Sequence, residues 1–314
     1  MKNKQGEKAS PPATSRRSGG AGAAGTCKPR ASVLFPFLYA LVYTFSLLPA
    51  ALLYKLSSLL YLFIYHVFSY RKSVVVQNIA RSFPDKRYDE IAAITSTFYR
   101  SFCDNLIEIL KSASISARRQ KKNVVLVGGE IVENHIKQGR QVIASMGHCG
   151  NWEILNVLPL MLSVNVNTVY KPLSPRCIDR LFLKTRSRFG MKMIPHKSIA
   201  RHFISHRDNP SMYLFLADQC PKAAAEAYPF DFMHQKTMVF AGIERLACMT
   251  GAVVVYLHVV KVSRGKYQIE CKEICADPGK SKATEITGEY VRLLERNIEE
   301  YPGGWLWSHK RWKR

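Results

Sequence analysis

The chain has 314 residues, 47% hydrophobic and 22% charged, enough to bury a large core and too apolar for a disordered protein. Forty-six Lys and Arg against 23 Asp and Glu give a net charge of +23, which draws acidic partners such as nucleic acid, anionic lipid or an acidic protein. Eight cysteines are too dilute for a disulfide-stapled scaffold, and the tight pair Cys271 and Cys275 lacks further ligands at zinc-finger spacing, so reduced thiols and no metal are expected.

Residues 1–30 hold Gly, Ala, Ser, Pro and seven basic residues against Glu7 alone, the composition of a disordered basic tail. The remainder still carries +17. Residues 33–54 run without a charge (VLFPFLYALVYTFSLLPAALLY), long enough at ~1.5 Å per residue to cross a ~30 Å hydrocarbon core. A cleavable signal would stop after about 7 to 15 apolar residues, so a retained membrane segment is expected. A second apolar run over 56–70 (LSSLLYLFIYHVFSY) is short for a span and contains His66; an interfacial position suits it, with its tyrosines at headgroup depth. Basic residues flank the region on both sides, which favours a re-entrant or hairpin arrangement over a single span. The division expected is a tail over 1–30, a membrane anchor over 31–70 and a globular domain over 71–314.

Past Arg71 the pattern becomes globular. Ile91, Ile94, Phe98, Phe102, Leu106 and Leu110 follow Pro84 at steps of three and four, predicting an amphipathic helix over 85–111. Short β-branched runs at 124–127, 142–146, 166–170, 212–217, 253–262 and 267–271 then alternate with helical stretches at 153–162, 178–189, 198–205, 242–249 and 284–300. Alternation of this kind predicts an α/β fold with a mainly parallel sheet. Neither GxGxxG nor GxxxxGK[ST] occurs, so nucleotide binding has no motif to support it.

Within VIASMGHCGNWEILNVL, a strand passes through a Gly turn into a helix. His148 falls just past the strand's carboxyl end and Glu153 five residues later, at the edge where open α/β sheets bind ligands. An imidazole with a nearby carboxylate suits a general base. Asn151 is placed to cap the helix, and exposed amides near Gly150 suit an oxyanion. The plainer reading makes Glu153 a complement to the helix dipole and His148 a turn residue. Cys149 reads as a bystander: no GxSxG or other nucleophile signature accompanies it. His196, His202 and His206 lie near one basic helix without HExxH or neighbouring acids, the pattern of a solvated surface. In YKPLSPRCIDRLFLKTRSRFG, Lys171, Arg176, Arg180, Lys184, Arg186 and Arg188 read mostly as a solvated face, with one or two placed to hold an anionic substrate. Asp218 ends the strand MYLFLAD at the same sheet edge, with a turn cap as its plain reading. The terminal WLWSHKRWKR interleaves Trp305, Trp307 and Trp312 with cations, suiting bases or, more simply, a membrane interface.

The ordered set YRKSVVVQNIARSFP, GHCGNWE, VYKPLSPRCIDRLFLKTRSRFG, LFLADQ and WLWSHKRWK resembles the lipid A biosynthesis late acyltransferase family, lauroyl/myristoyl type, from about Leu34 onward. The His-x4-Glu box alone is moderately specific, glycerolipid acyltransferases having His-x4-Asp. The resemblance implies a single glycerolipid-acyltransferase-like α/β domain. Its activity would be transfer of a fatty acyl chain from acyl carrier protein to a hydroxyl of a lipid A precursor, at the cytoplasmic face of the inner membrane. Carried over by position, His148 looks like the general base, Glu153 its partner, Arg186 the functional arginine and Asp218 the acid after the next strand. Asn151, Lys171 and Arg188 would bind substrate, with no cofactor, no metal and no nucleic acid. Lys171 stands where the best-known members have Arg, and Cys149, Gly150 and Asn151 differ from residues inside their box, which bears on acceptor and chain-length preference. A different lipid acceptor is the nearest alternative, and a membrane-tethered nucleic-acid-binding protein a distant one.

Overall fold

The computed structural model describes residues 34–221 and 226–312; the expected basic tail and the terminal Lys313 and Arg314 lie outside the described residues. The uncharged run 33–54 is not one helix. α1 (Leu34–Ser46) ends before Pro49, which stands at the N-cap of α2 (Ala50–Leu62), and a π-helical turn, Phe63–Val67, prolongs α2. Proline lacks the amide a continuing helix needs and its ring crowds the preceding turn, so the chain breaks there. Among the described residues the stretch long and apolar enough to cross a membrane is therefore Ala50–Val67, shifted from the expected 33–54.

α3 (Lys72–Ser82) leads to α4 (Tyr88–Lys111), where Glu90 accepts the Arg87 amide at 3.0 Å and fixes the helix start. Ile91 and Phe98 are buried as expected, but Leu106 is exposed and Asp104 and Asn105 are buried. The polar face of α4 is covered by α2, which supplies partners for it: Ser57 Oγ donates to Asp104 at 2.6 Å. After α5 (Ala117–Lys122) come β1 (Val124–Val127), α6 (Gly129–Lys137), β2 (Val142–Met146), a 3-10 helix Trp152–Val157, α7 (Leu158–Met161), β3 (Val166–Tyr170) and α8 (Arg176–Arg186). Then follow β4 (Lys192–Pro195), α9 (Ile199–Ser205), β5 (Met212–Leu216), β6 (Ala227–Phe232), β7 (Gln235–Phe240), α10 (Gly242–Thr250), β8 (Val253–Ser263), β9 (Lys266–Cys275) and α11 (Glu285–Glu300).

The architecture is a single mixed α/β domain built on a seven-stranded sheet in the order β1-β9-β8-β2-β5-β3-β4, with every neighbouring pair parallel except β8 and β9. Central strands are apolar on both faces because helices cover both. Val142, Ala144 and Met146 of β2 point to one core with Leu155 and Leu158, while Ile143 points to the other with Phe98, Leu294 and Ile298. Sequence reading missed β4, a short edge strand, and the β6–β7 hairpin. That hairpin turns on Met233 and His234, both at positive φ (50° and 59°), a geometry normally signalled by Asn-Gly. The expected helix over 153–162 is instead the 3-10 turn followed by one α turn.

Candidate active site

β2 and β5 are parallel neighbours with Met146 opposite Leu216. Two residues further along each strand stand His148 and Asp218, so the sheet's register brings them side by side across 70 residues of chain. Asp218 Oδ1 lies 2.6 Å from His148 Nδ1, and Asp218 Oδ2 accepts the His148 amide at 2.9 Å. The carboxylate fixes the tautomer: Nδ1 carries the hydrogen and Nε2 keeps its lone pair. Nε2 faces Gln219, 3.4 Å away, at the wall of a cavity of about 280 Å³ that Trp152, Tyr170, Lys171 and Arg186 also line. Burial raises the Asp218 carboxyl, but the His148 ring, its amide and the Trp305 indole together outweigh this and hold it down to about 2. Burial pushes the Cys149 thiol well above its usual range, with Asp218 adding to the effect; a thiol held protonated is no nucleophile.

The expected pairing of His148 with Glu153 is thus replaced by a pairing with Asp218. Glu153 sits on the 3-10 turn facing α8, where its carboxylate takes a two-point bond from Arg186: Nε donates at 2.7 Å and a terminal nitrogen closes the fork. Burial lowers the Arg186 pKa, but the Glu153 charge outweighs it and the guanidinium is held above its ordinary range. Arg186 is the anionic-substrate candidate that does border the cavity, and exposed Lys171 lines the same wall. Two other candidates are structural. Asn151 is 3% exposed; its Oδ1 caps the 3-10 turn at the Glu153 amide and its Nδ2 donates to Glu108 at 2.7 Å. Arg188 donates instead to the Ser112 carbonyl at the C-terminal end of α4, at 2.8 Å. The Gly150 amide is not free for an oxyanion either, since it donates to Gly304 at 2.9 Å. Gly150 itself sits at φ +58°, the left-handed turn that swings the chain from β2 toward Glu153.

A second cavity, about 300 Å³, lies on the other side of Glu153, between α2, α4, α5 and the β8–β9 turn. Glu153 therefore forms part of both walls. Across the second cavity Glu108 accepts from Tyr54, Tyr267, Asn151 and the Gly265 amide. This hub ties α2 to the loop between His148 and Glu153.

The terminal Trp-basic segment is not an interfacial belt. Trp305 and Trp307 are 2% and 0% exposed, and the segment lies against the loop after β2, with the Cys149 and Trp305 backbones paired in an isolated antiparallel bridge. Trp305 Nε1 donates to Asp218 Oδ2 at 2.7 Å, a role for which the sequence held no local signal. Buried carboxylates lose much when a donor is removed, about 1.5–3 kcal/mol per charged hydrogen bond. Trp305→Phe is expected to keep the fold and lower kcat by about 10- to 100-fold with little change in KM. Steady-state kinetics with circular dichroism checks this; unchanged kcat would make the indole a packing group only.

The family model for bacterial lipid A biosynthesis acyltransferase matches residues 28–314. A lipid A biosynthesis acyltransferase of Haemophilus influenzae is 22% identical over 261 residues, covering 81% of this chain and 79% of that protein. A phosphatidylinositol mannoside acyltransferase of Mycolicibacterium smegmatis is 25% identical over 179 residues, 55% of this chain and 57% of that protein, so that alignment spans little more than half of either.

Proposed function

Since this chain belongs to the bacterial lipid A biosynthesis acyltransferase family, and so is an acyltransferase with a lipid acceptor, we propose that it moves a fatty acyl chain from an acyl carrier protein thioester to a hydroxyl of a lipid A precursor, at the cytoplasmic face of the inner membrane. The observation that carries the reading is the His148–Asp218 pair opening its Nε2 onto a cavity. A neutral alcohol is a poor nucleophile, so Nε2 takes its proton as the oxygen attacks the thioester carbon. The imidazolium formed is stabilised by Asp218. Arg186 and Lys171 stand on the cavity wall as cationic partners for the developing oxyanion or for acceptor phosphate. Collapse of the tetrahedral intermediate breaks the carbon–sulfur bond; the thiolate leaves with the proton from His148, giving ester and free thiol. The surplus of positive charge attracts both an acidic carrier protein and a phosphorylated acceptor. In this reading residues 31–70 are the membrane-facing part and 71–314 the acyltransferase domain.

The name of the mycobacterial relative makes a glycosylated phospholipid the alternative acceptor. Mass spectrometry of lipid extracts from cells with and without the protein separates the two: loss of one acyl chain from lipid A supports the first, and an unchanged lipid A with an altered phospholipid supports the second. Matched transfer assays with carrier-protein and coenzyme A thioesters assign the donor.

Glu153 and Arg186 act as one unit here, so their substitutions should not add. Arg186→Lys cannot keep the two-point bond and is expected to cut kcat/KM about tenfold or more. Glu153→Gln/Arg186→Lys is expected to be no worse than the poorer single variant; additive losses in the transfer assay would show two separate roles.

A further inference from the structure

We infer that α1 and α2 do not cross the bilayer: they lie in one leaflet of an anionic membrane, immersing their outer faces while their inner faces stay bonded to the globular domain. The inference concerns membrane geometry and goes beyond the family reading, so either can fail alone.

Ala50–Val67 has the length and apolar content of a span, yet one stripe of it is committed elsewhere. Leu53, Ser57 and Tyr61, spaced by four, are 1%, 0% and 6% exposed. Tyr54 donates to Glu108 at 2.9 Å, Ser57 to Asp104 at 2.6 Å, and Tyr61 pairs with Ser96 at 2.9 Å. These partners stretch along α4 for twelve residues, or about 18 Å. Asp104 in turn holds Lys261 at 2.8 Å and Arg264 at 3.1 Å. If α2 crossed the membrane bonded in this way, α4 would enter hydrocarbon with its charges; if it crossed alone, Asp104 would lose the Ser57 hydroxyl and Glu108 that of Tyr54. Charged groups within hydrocarbon cost several kcal/mol each, and buried hydrogen-bonded partners are costly to strand. The described part of α1 has 13 residues, about 20 Å, and its end is pinned by Lys111 Nζ on the Ser46 and Leu48 carbonyls at 2.7 and 3.0 Å.

The opposite face is uncovered and mostly apolar: Phe37, Leu41, Leu47, Leu59, Val67 and Phe68 are 50–73% exposed, and exposed Lys55, on the same side of α2 as Leu59, has a stem long enough to carry its ammonium to the headgroups. Cations border it. Arg180 and Lys184 of α8 lie over the Phe35 and Tyr39 rings, and Arg71 and Lys72 over Tyr70 and Tyr65. An apolar face with a cationic border is complementary to acyl chains under anionic headgroups. The second cavity is lined by Ala50, Leu53 and Tyr54 of α2, so it borders the element that lies in the leaflet.

Two measurements test this. Peptide tags appended to both termini are probed by protease on sealed, oriented membrane vesicles. Both tags cut, or both protected, is expected; one of each means a span and overturns the inference. Phe37→Asp and Phe68→Asp, at exposed positions that do not line the His148 cavity, are expected to keep the thermal midpoint and weaken co-sedimentation with phosphatidylglycerol vesicles about tenfold or more each. Unchanged sedimentation, or unchanged sedimentation with loss of a dimer on size exclusion, would remove the leaflet from this face and, in the second case, give it to another copy of the chain.

Discussion

Replacing His148 by Ala is expected to lower kcat/KM for acyl transfer by about 10² to 10⁴, the usual reach of a positioned general base. The ring stands 4.8 Å from Trp152 in an edge-on contact and its side chain is 14% exposed, so its loss opens a small space beside the cavity without uncovering the core. The protein should therefore stay folded and membrane-bound, and the loss should fall on kcat rather than KM, because the imidazole acts only as the alcohol attacks. Transfer measured at saturating thioester, with the thermal midpoint as control, decides it. Activity within a few-fold of the natural protein would move the base elsewhere.

Asp218→Asn should be nearly as damaging, by a different route. The amide cannot accept from both His148 Nδ1 and the His148 and Trp305 donors as the carboxylate does. Turning its NH2 toward Nδ1 forces the other tautomer, with hydrogen on Nε2 and no lone pair facing the cavity. A loss of about 10² to 10⁴ in kcat is expected, larger than that of Glu153→Gln, because Glu153 reaches the chemistry only through Arg186. The reverse ranking would restore Glu153 as the partner of His148. Stability offers a second reading. Asp218 is held at about 2, below its ordinary 3.8, so the native state favours the ionised form. The stability this contributes is present above pH about 4 and is lost as pH falls through about 2. In urea titrations the gap between the natural protein and Asp218→Asn should therefore narrow between pH about 4 and about 2; a gap that does not change with pH would mean the carboxylate is not held ionised by its neighbours.

Local pattern carried much of the fold. β2, with five buried residues in five, and β8, with seven buried at its start, announce themselves as mostly apolar runs, because strands covered on both faces bury nearly every side chain. The α-helices at 176–186, 242–250 and 285–300 follow their stripes within a few residues for the same reason of burial. Pro49 was visible too, but its consequence, the division of the uncharged run into α1 and α2, competes in sequence with a count of apolar residues. β4 and the β6–β7 hairpin were silent: an edge strand has little to bury, and Met233 and His234 adopt a turn their side chains do not favour.

At the site, chain order determined which residues gather at the carboxyl edge of the sheet: His148 after β2 and Asp218 after β5 follow from a parallel α/β arrangement. Their partnership did not follow, since it depends on β2 lying beside β5 with Met146 facing Leu216, and strand order is fixed by packing among elements far apart in sequence. Spacing pairs His148 with Glu153 only if a regular helix follows Gly150. The 3-10 turn points Glu153 at Arg186 instead. The indole of Trp305, 87 residues from Asp218, reaches the carboxylate because the terminal segment folds back against the loop after β2. One-dimensional periodicity reports which faces avoid water; only three-dimensional closure decides which polar groups, once out of water, must satisfy one another.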